Sequence, residues 1–199
     1  MTDPAGTPVD ASADFATGIA IAHDLASSAV WSGEVCAFHG AAPAASLGLP
    51  ALHRSFGGDY YEGSAGIARF LALAAKLADD AGIGNAALGA MRHALAQTTG
   101  WSLFAGRLGT GLVALEVAEW LDRPELVQPA VAVIEMACSE ALDAAANGAP
   151  CDLLSGLAGV IHGLTAARAY DLDGSWLTAA IKLAQAVAEQ AHEDWFGLS

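Results

Sequence analysis

The sequence predicts an all-α protein built from helical hairpins, and three observations carry that expectation. The stretch Cys151-Asp152-Leu153-Leu154-Ser155-Gly156-Leu157-Ala158-Gly159-Val160 has two earlier counterparts, Asp59-Tyr60-Tyr61-Glu62-Gly63-Ser64-Ala65-Gly66-Ile67 and Ser102-Leu103-Phe104-Ala105-Gly106-Arg107-Leu108-Gly109-Thr110. Each copy runs from a polar residue through two large apolar or aromatic residues and a small or acidic one into Gly-x-x-Gly and a helical stretch. The first glycines fall at 63, 106 and 156. A recurrence every ~40–50 residues, with one helix after each motif and another before the next, is the signature of a helical-hairpin array. Finally, no segment shows the bounded apolar–polar alternation of a strand.

The motif glycines are Gly63, Gly66, Gly106, Gly109, Gly156 and Gly159. Glycine adopts backbone conformations other residues avoid and lets a neighbouring segment approach closely. The second glycine of each pair falls in the first helical turn, where it lowers helix propensity. Repeating that cost three times predicts backbones crossing closely at a crowded centre. Ser64 and Ser155 are candidate N-caps, whose hydroxyls would accept from unpaired helix N–H groups.

Residues 1–10 read as a polar lead-in. Residues 11–30 carry Phe15, Ile19, Ala22 or Ile21, Leu25 and Ala29 at helical spacing. Trp31 to Pro50 is rich in Gly, Ala and Pro, so about 31–55 reads as a long connection. Within it, Cys36 and His39 are two potential metal ligands, but tetrahedral zinc needs three or four; the expectation is a packed cysteine beside a surface histidine. The first repeat helix spans about Ser64 to Asp79, with Ile67, Phe70, Leu71, Ala74 and Leu77 on one side and small residues elsewhere, an interior pattern. Its partner, about Asn85 to Thr98, leaves Arg92, His93 and Gln97 available to water. Arg107 to Leu121 follows, ending before Pro124, then Glu125 to Ala146 with Leu126, Val133 or Ile134, Ala137, Ala141 and Leu142 as its stripe. Leu157 to Tyr170 and Ser175 to about Asp194 complete the third hairpin, the latter expected to place Leu177, Ile181, Ala184, Ala188 and Ala191 inward. Inner apolar helices that begin with one motif should begin at one end of the assembly. Asp59, Glu62, Ser102, Cys151 and Asp152 would then gather on one face.

At 199 residues the chain can bury the core of one domain. A formal net charge of −14 argues against nucleic acid or anionic lipid as partner. No apolar run reaches the length of a membrane span. The first residues lack the pattern of a signal peptide. Cys36, Cys138 and Cys151 are too scattered for a disulfide framework. The expectation is a cytoplasmic protein.

These residues carry a resemblance. Tyr61-Glu62-Gly63-Ser64-Ala65-Gly66-Ile67-Ala68 and Asp152-Leu153-Leu154-Ser155-Gly156-Leu157-Ala158-Gly159-Val160 look like the lanthionine synthetase C family, and Leu103-Phe104-Ala105-Gly106-Arg107-Leu108-Gly109 is a looser match. The resemblance covers roughly residues 55–195. It implies an α/α toroid with inner and outer rings of helices, here about three repeats of an incomplete ring. It also implies an activity, the addition of cysteine thiols to dehydroalanine or dehydrobutyrine in a ribosomally made precursor peptide, giving thioether rings. The family's zinc is held by two cysteines and a histidine in its C-terminal half. No residue here matches those ligands, so the chain has no cofactor of its own by this reading. The final Gly197-Leu198-Ser199 matches the lead-in to the family's next Gly-rich motif. The expectation is therefore the N-terminal half of a cyclase, inactive without its complement.

One family active-site position carries over: the aspartate four residues before the third motif's first glycine, here Asp152, which would assist proton handling in a completed toroid. A simpler role is favourable interaction with the positive end of the following helix. The alternative reading of the whole is a non-catalytic helical scaffold binding a peptide or a partner protein. Expected partners are the precursor peptide, a C-terminal-half polypeptide or a second copy of the chain, because an open half-ring leaves apolar surface at both ends. Asp59 and Glu62 as the acid and base of a helical-barrel glycosidase form a rival reading. His162, in an apolar helix, is expected in the interior, and Trp101, Trp120, Trp176 and Trp195 are expected to pack.

Overall fold

The structure, a computed structural model, describes residues 11–41 and 53–196. The lead-in, residues 42–52 of the connection and the final three residues lie outside them. The helices are α1 (Ala11–Ser28), α2 (Ser64–Ala78), α3 (Ala81–Gln97), α4 (Arg107–Trp120), α5 (Val127–Ala146), α6 (Leu157–Ala166) and α7 (Ser175–Phe196). They pair as the hairpins α2/α3, α4/α5 and α6/α7. The motif-led helices neighbour one another in the order α2, α4, α6, while α5 touches both α3 and α7, and α1 covers α2 and α3. The protein is all-α, as the repeat predicts.

The first hairpin shows how the alanine content is used. Ala65, Ala68, Ala72 and Ala75 of α2 are buried, as are Ala86, Ala87, Ala90 and Ala94 of α3. Small side chains let two helix axes approach closely, and Leu71, Ile83 and Met91 fill the remaining space. Full burial of each such large side chain contributes roughly 1.5–3 kcal/mol. Helix α3 begins at Ala81, earlier than the apolar stripe suggests, because Asp80 accepts from the N–H groups of Gly82 and Ile83 at 2.8 and 3.0 Å. Those contacts hold the Asp80 carboxyl below its usual range.

Two expectations about faces are corrected. On α2, Phe70 and Leu77 are exposed together with Leu73, since the small residues rather than the large ones form the seam with α3. On α7, Leu177 and Ile181 are 41% and 52% exposed, and Ala184 and Ala188 are exposed too. The face that α7 buries is instead Trp176, Ala179, Ala180 and Leu183. Helix α7 thus has two apolar faces, and periodicity alone could not say which one the neighbours take.

The connection after α1 is also not strand-free. Strand β1 (Val30–Ser32) pairs antiparallel with β2 (Val35–Ala37), and β3 (His39–Ala41) pairs with β4 (His53–Ser55). Three-residue strands are too short to show alternation. Gly33, at φ +62°, makes the first turn. This ribbon docks on α3 with Cys36 and Phe38 buried. Gly89 makes room for it: a Cβ there would lie 2.7 Å from the Trp31 ring and 2.9 Å from Cys36 Sγ.

Candidate functional site

The three motifs fold into one loop, repeated. In each, the first helical residue donates its N–H to a carbonyl seven positions earlier. Ser64 bonds Gly57 at 2.8 Å, Arg107 bonds Gly100 at 3.0 Å and Leu157 bonds Pro150 at 2.9 Å. One of the unpaired N–H groups of each helix start is satisfied in this way. The first glycine of each motif sits inside the closed loop. A Cβ on Gly63, Gly106 or Gly156 would fall 2.4, 2.5 and 2.4 Å from the backbone of Asp59, Ser102 and Asp152. Their φ angles, −117°, −141° and −105°, are open to any residue. Space, not conformational freedom, demands glycine here.

The second glycine works the same way one step on. A Cβ on Gly66, Gly109 or Gly159 would meet the carbonyl oxygens of Tyr60, Leu103 and Leu153 at 2.4, 1.8 and 2.2 Å. Gly109 also lies against the Cβ of Tyr60, 3.2 Å from its own Cβ position, and Gly159 against the Cβ of Leu103 at 3.3 Å. Tyr60 and Leu103, three residues before their first glycines, therefore each pack a carbonyl against their own motif's second glycine and a Cβ against that of the next repeat. The crowding expected from repeated glycines is present; its nearest partner is each motif's own loop backbone, with the preceding motif's side chain added at Gly109 and Gly159.

The N-caps are corrected by this geometry. Gly63 and Gly156 occupy the cap positions, with no side chain capping either helix. Ser64 is the first helical residue and is buried, its Oγ 3.0 Å from Nδ1 of His93 on α3. Burial holds His93 below its ordinary pKa and so keeps the imidazole neutral. Ser155 donates its N–H to Asp152 Oδ1 at 2.8 Å.

Asp152 is exposed and organises its loop by accepting from the N–H groups of Leu154 and Ser155, both at 2.8 Å. The Ser155 N–H contact, above all, holds its carboxyl below the usual range. Asp59, at the same position of the first motif, accepts from the Glu62 N–H at 2.7 Å. Aligning the copies puts both aspartates four residues before the first glycine, and the turn role they share is seen in the backbone. Glu62 faces Arg54 at 3.6 Å on the surface. Cys151 is exposed, and its Sγ lies 2.9 Å from Gln190 Oε1. Ser102 is buried.

The motif loops thus lie side by side, but their titratable groups do not converge. Among the described residues, no group of three or more His, Cys, Asp or Glu side chains could hold a metal ion. Cys36 and Cys138 are buried, and desolvation pushes each thiol up to about 11. That opposes the thiolate a metal would bind. Cys36 packs with its Sγ 3.4 Å from the Ala86 carbonyl, and His39 is exposed, the packed cysteine and surface histidine expected. His162 is corrected: it is exposed on α6, on the same side as the exposed Thr165 and Ala166. Trp176 is buried, while Trp101 and Trp120 are half-buried against the core. The Trp195 side chain lies outside the described set.

One cluster was not visible in the sequence. Arg69 of α2 forks onto Glu116 of α4, with Nη2 3.1 Å from Oε1, and lies over the rings of Tyr60 and Trp120 at 5.9 and 5.5 Å. It joins the first two repeats from residues far apart in the chain. At the other edge of the array, Gly63, Gly66, Ile67, Phe70, Tyr61 and Arg54 line an open cleft of about 500 Å³.

Three consecutive hairpins, each led by a helix that starts from the same Gly-x-x-Gly loop, make the chain an all-α helical-repeat protein. The chain belongs to the lanthionine synthetase C-like family, whose model matches residues 55–197. Among curated proteins, none matches the chain. No helix among the described residues is long and apolar enough to cross a membrane.

Proposed function

We propose that the chain is the N-terminal part of a cytoplasmic lanthionine-forming cyclase, folded as the leading arc of an α/α toroid. The family match over residues 55–197 carries the reading, and the motif loop repeated in all three hairpins supports it. The reaction joins a cysteine sulfur of a precursor peptide to the β-carbon of dehydroalanine or dehydrobutyrine and places a proton on the α-carbon. The described residues do not fit a zinc site, and any zinc ligands would belong to polypeptide outside them. Asp152 would stand on the motif face, its carboxylate kept ionised by the Leu154 and Ser155 N–H groups. An ionised carboxylate can hold a neighbouring acid or base in position without itself being the proton donor.

A scaffold that binds a peptide or partner protein is the second reading, favoured by the scattered, buried thiols of Cys36 and Cys138. The test is a dehydrated, cysteine-bearing peptide incubated with the chain, alone and with a C-terminal-half polypeptide carrying the family's metal ligands. Ring closure leaves the peptide mass unchanged and removes a thiol that can be alkylated. Thiol loss only in the mixture supports the cyclase reading. Peptide binding with every thiol retained in both samples supports the scaffold.

A further inference from the structure

Where α2 and α4 end, away from the motif loops that start them, two cavities of about 380 and 530 Å³ adjoin. They share Asn85, Leu88 and Arg123, and so form one groove from the ends of α2 and α4 to the β1–β2 turn. Leu88, 6% exposed, gives the shared part an apolar floor, and the ring of Trp31, 47% exposed, stands at the far wall. The ribbon that carries Trp31 lies outside residues 55–197, so this wall is no part of what the family model matches.

The charges decide what the groove accepts. Glu34 is engaged by Arg92 at 3.5 Å, and Asp80 by the N–H groups of Gly82 and Ile83. Asp79, Asp122 and Glu125 take part in no ion pair among the described residues, and neither do Lys76 and Arg123. The uncommitted balance is negative. Asp79 and Asp122 hold equivalent places in their repeats, just past the last turns of α2 and α4, at φ +53° and +52°. Helix C-terminal ends carry partial negative charge, and glycine or asparagine is the usual residue in that left-handed conformation. Aspartate there adds negative charge where the backbone already supplies it, twice, into one groove.

We propose that this groove binds an extended, net-basic peptide segment of a partner. Its cationic groups meet Asp79, Asp122 and Glu125, its aliphatic stems lie on Leu88, and one cation stacks on the Trp31 ring. The formal net charge of −14 draws such a partner from solution. The inference goes beyond the cyclase reading and does not rest on it.

The experiment titrates the whole chain with a cysteine-free probe, acetyl-Lys-Leu-Lys-Leu-Lys-amide, and follows the Trp31 indole N–H resonance, assigned with Trp31→Phe. Because no thiol is involved, the outcome is independent of any test of ring formation. The basic peptide should shift that resonance saturably, and more weakly as salt rises. The double variant Asp79→Asn with Asp122→Asn keeps a side chain that tolerates the left-handed backbone. It should weaken binding at least about tenfold, as should Trp31→Ala, followed by calorimetry. Asp143→Asn with Glu189→Gln removes as much charge elsewhere, on α5 and α7, and should weaken it less than about twofold by screening. Far-ultraviolet circular dichroism checks each fold, and the aspartate pair decides the matter if Trp31→Ala loosens the ribbon. A Trp31 resonance that does not move overturns the proposal. So does equal weakening by the two charge-removing pairs, which would mark a general field, or equal binding of acetyl-Glu-Leu-Glu-Leu-Glu-amide.

Discussion

The seam between the first and second repeats and the seam between the second and third share a backbone geometry and almost no side-chain chemistry. In the first, Tyr60 and Phe104 stack with centroids 5.8 Å apart, and the Tyr61 N–H bonds the Phe104 carbonyl at 2.9 Å. Thr110, fully buried, donates to the Gly58 carbonyl at 3.0 Å, and Arg69 forks onto Glu116. In the second, Leu103 fills the space over Gly159 and Gly163 with Leu108 and Leu112 beside it, and the Tyr170 hydroxyl donates to Glu119 at 2.6 Å. What the repeats hold constant is therefore the missing Cβ and the loop carbonyl it admits. Polar and apolar side chains serve equally well around that contact.

The sharpest way to break the comparison is to fill the constant part. Gly109→Ala and Gly159→Ala should each destabilise the protein by about 2–4 kcal/mol, because backbone rather than a flexible side chain stands in the way. Similar losses at both, read from urea unfolding, would show that the seams share one determinant. A loss at only one would show that side chains set the spacing. Gly18→Ala, at a helical site with nothing within 4 Å of the new Cβ, should be neutral or stabilising by up to about 1 kcal/mol.

The variable part should respond less. Arg69→Met removes the fork and the contacts with Tyr60 and Trp120, touching only the first seam. Both partners of the ion pair are more than a third exposed, so solvent screening leaves a loss of about 1 kcal/mol. A double-mutant cycle with Glu116→Gln measures the paired fraction, which should shrink as salt rises.

Tyr170→Phe probes the second seam through pH. The hydrogen bond to Glu119, with some burial, pushes the Tyr170 hydroxyl up to about 12. A folded-state value above the unfolded one means that this stabilisation is fully present below about pH 10 and disappears as pH rises toward 12. The substitution should cost below about 1 kcal/mol at neutral pH, discounted for exposure. It should also flatten the alkaline limb of stability against pH; a limb unchanged between pH 10 and 12 would remove Tyr170 from the seam.

Much of the fold was legible because it repeats. Three copies of one motif gave the hairpins, the helix starts at Ser64, Arg107 and Leu157, and the crowding at the glycines. What stayed hidden depends on which neighbour covers which face. Leu177 and Ile181 are as apolar as Trp176 and Leu183, yet only the latter pair is buried. His162 sits in an apolar run but on an exposed side of a short helix. Arg69 and Glu116 are separated by a whole hairpin, so no local pattern links them. The site was legible only as motif positions: Asp152 could be placed on the loop, but its Asx-type turn and the twin role of Asp59 needed the backbone.

The smallest expected effect on stability separates architecture from chemistry at those two aspartates. Asparagine keeps a side-chain oxygen that can accept the loop N–H bonds, so Asp152→Asn and Asp59→Asn should leave thermal unfolding at neutral pH nearly unchanged. In acid Asp152→Asn should part from the wild type in a defined direction. The folded-state Asp152 carboxyl is held below the usual range, so its contribution is present above about pH 4 and is lost as pH falls through the depressed value. Asp152→Asn has no such charge to lose, and its acid limb should be flatter. If both aspartates only shape turns, both variants bind peptide and partner as the wild type does. If Asp152 also serves the reaction in an assembled cyclase, ring formation should fall about a hundredfold or more in Asp152→Asn alone. The same loss in Asp59→Asn would place the chemistry on the motif face as a whole.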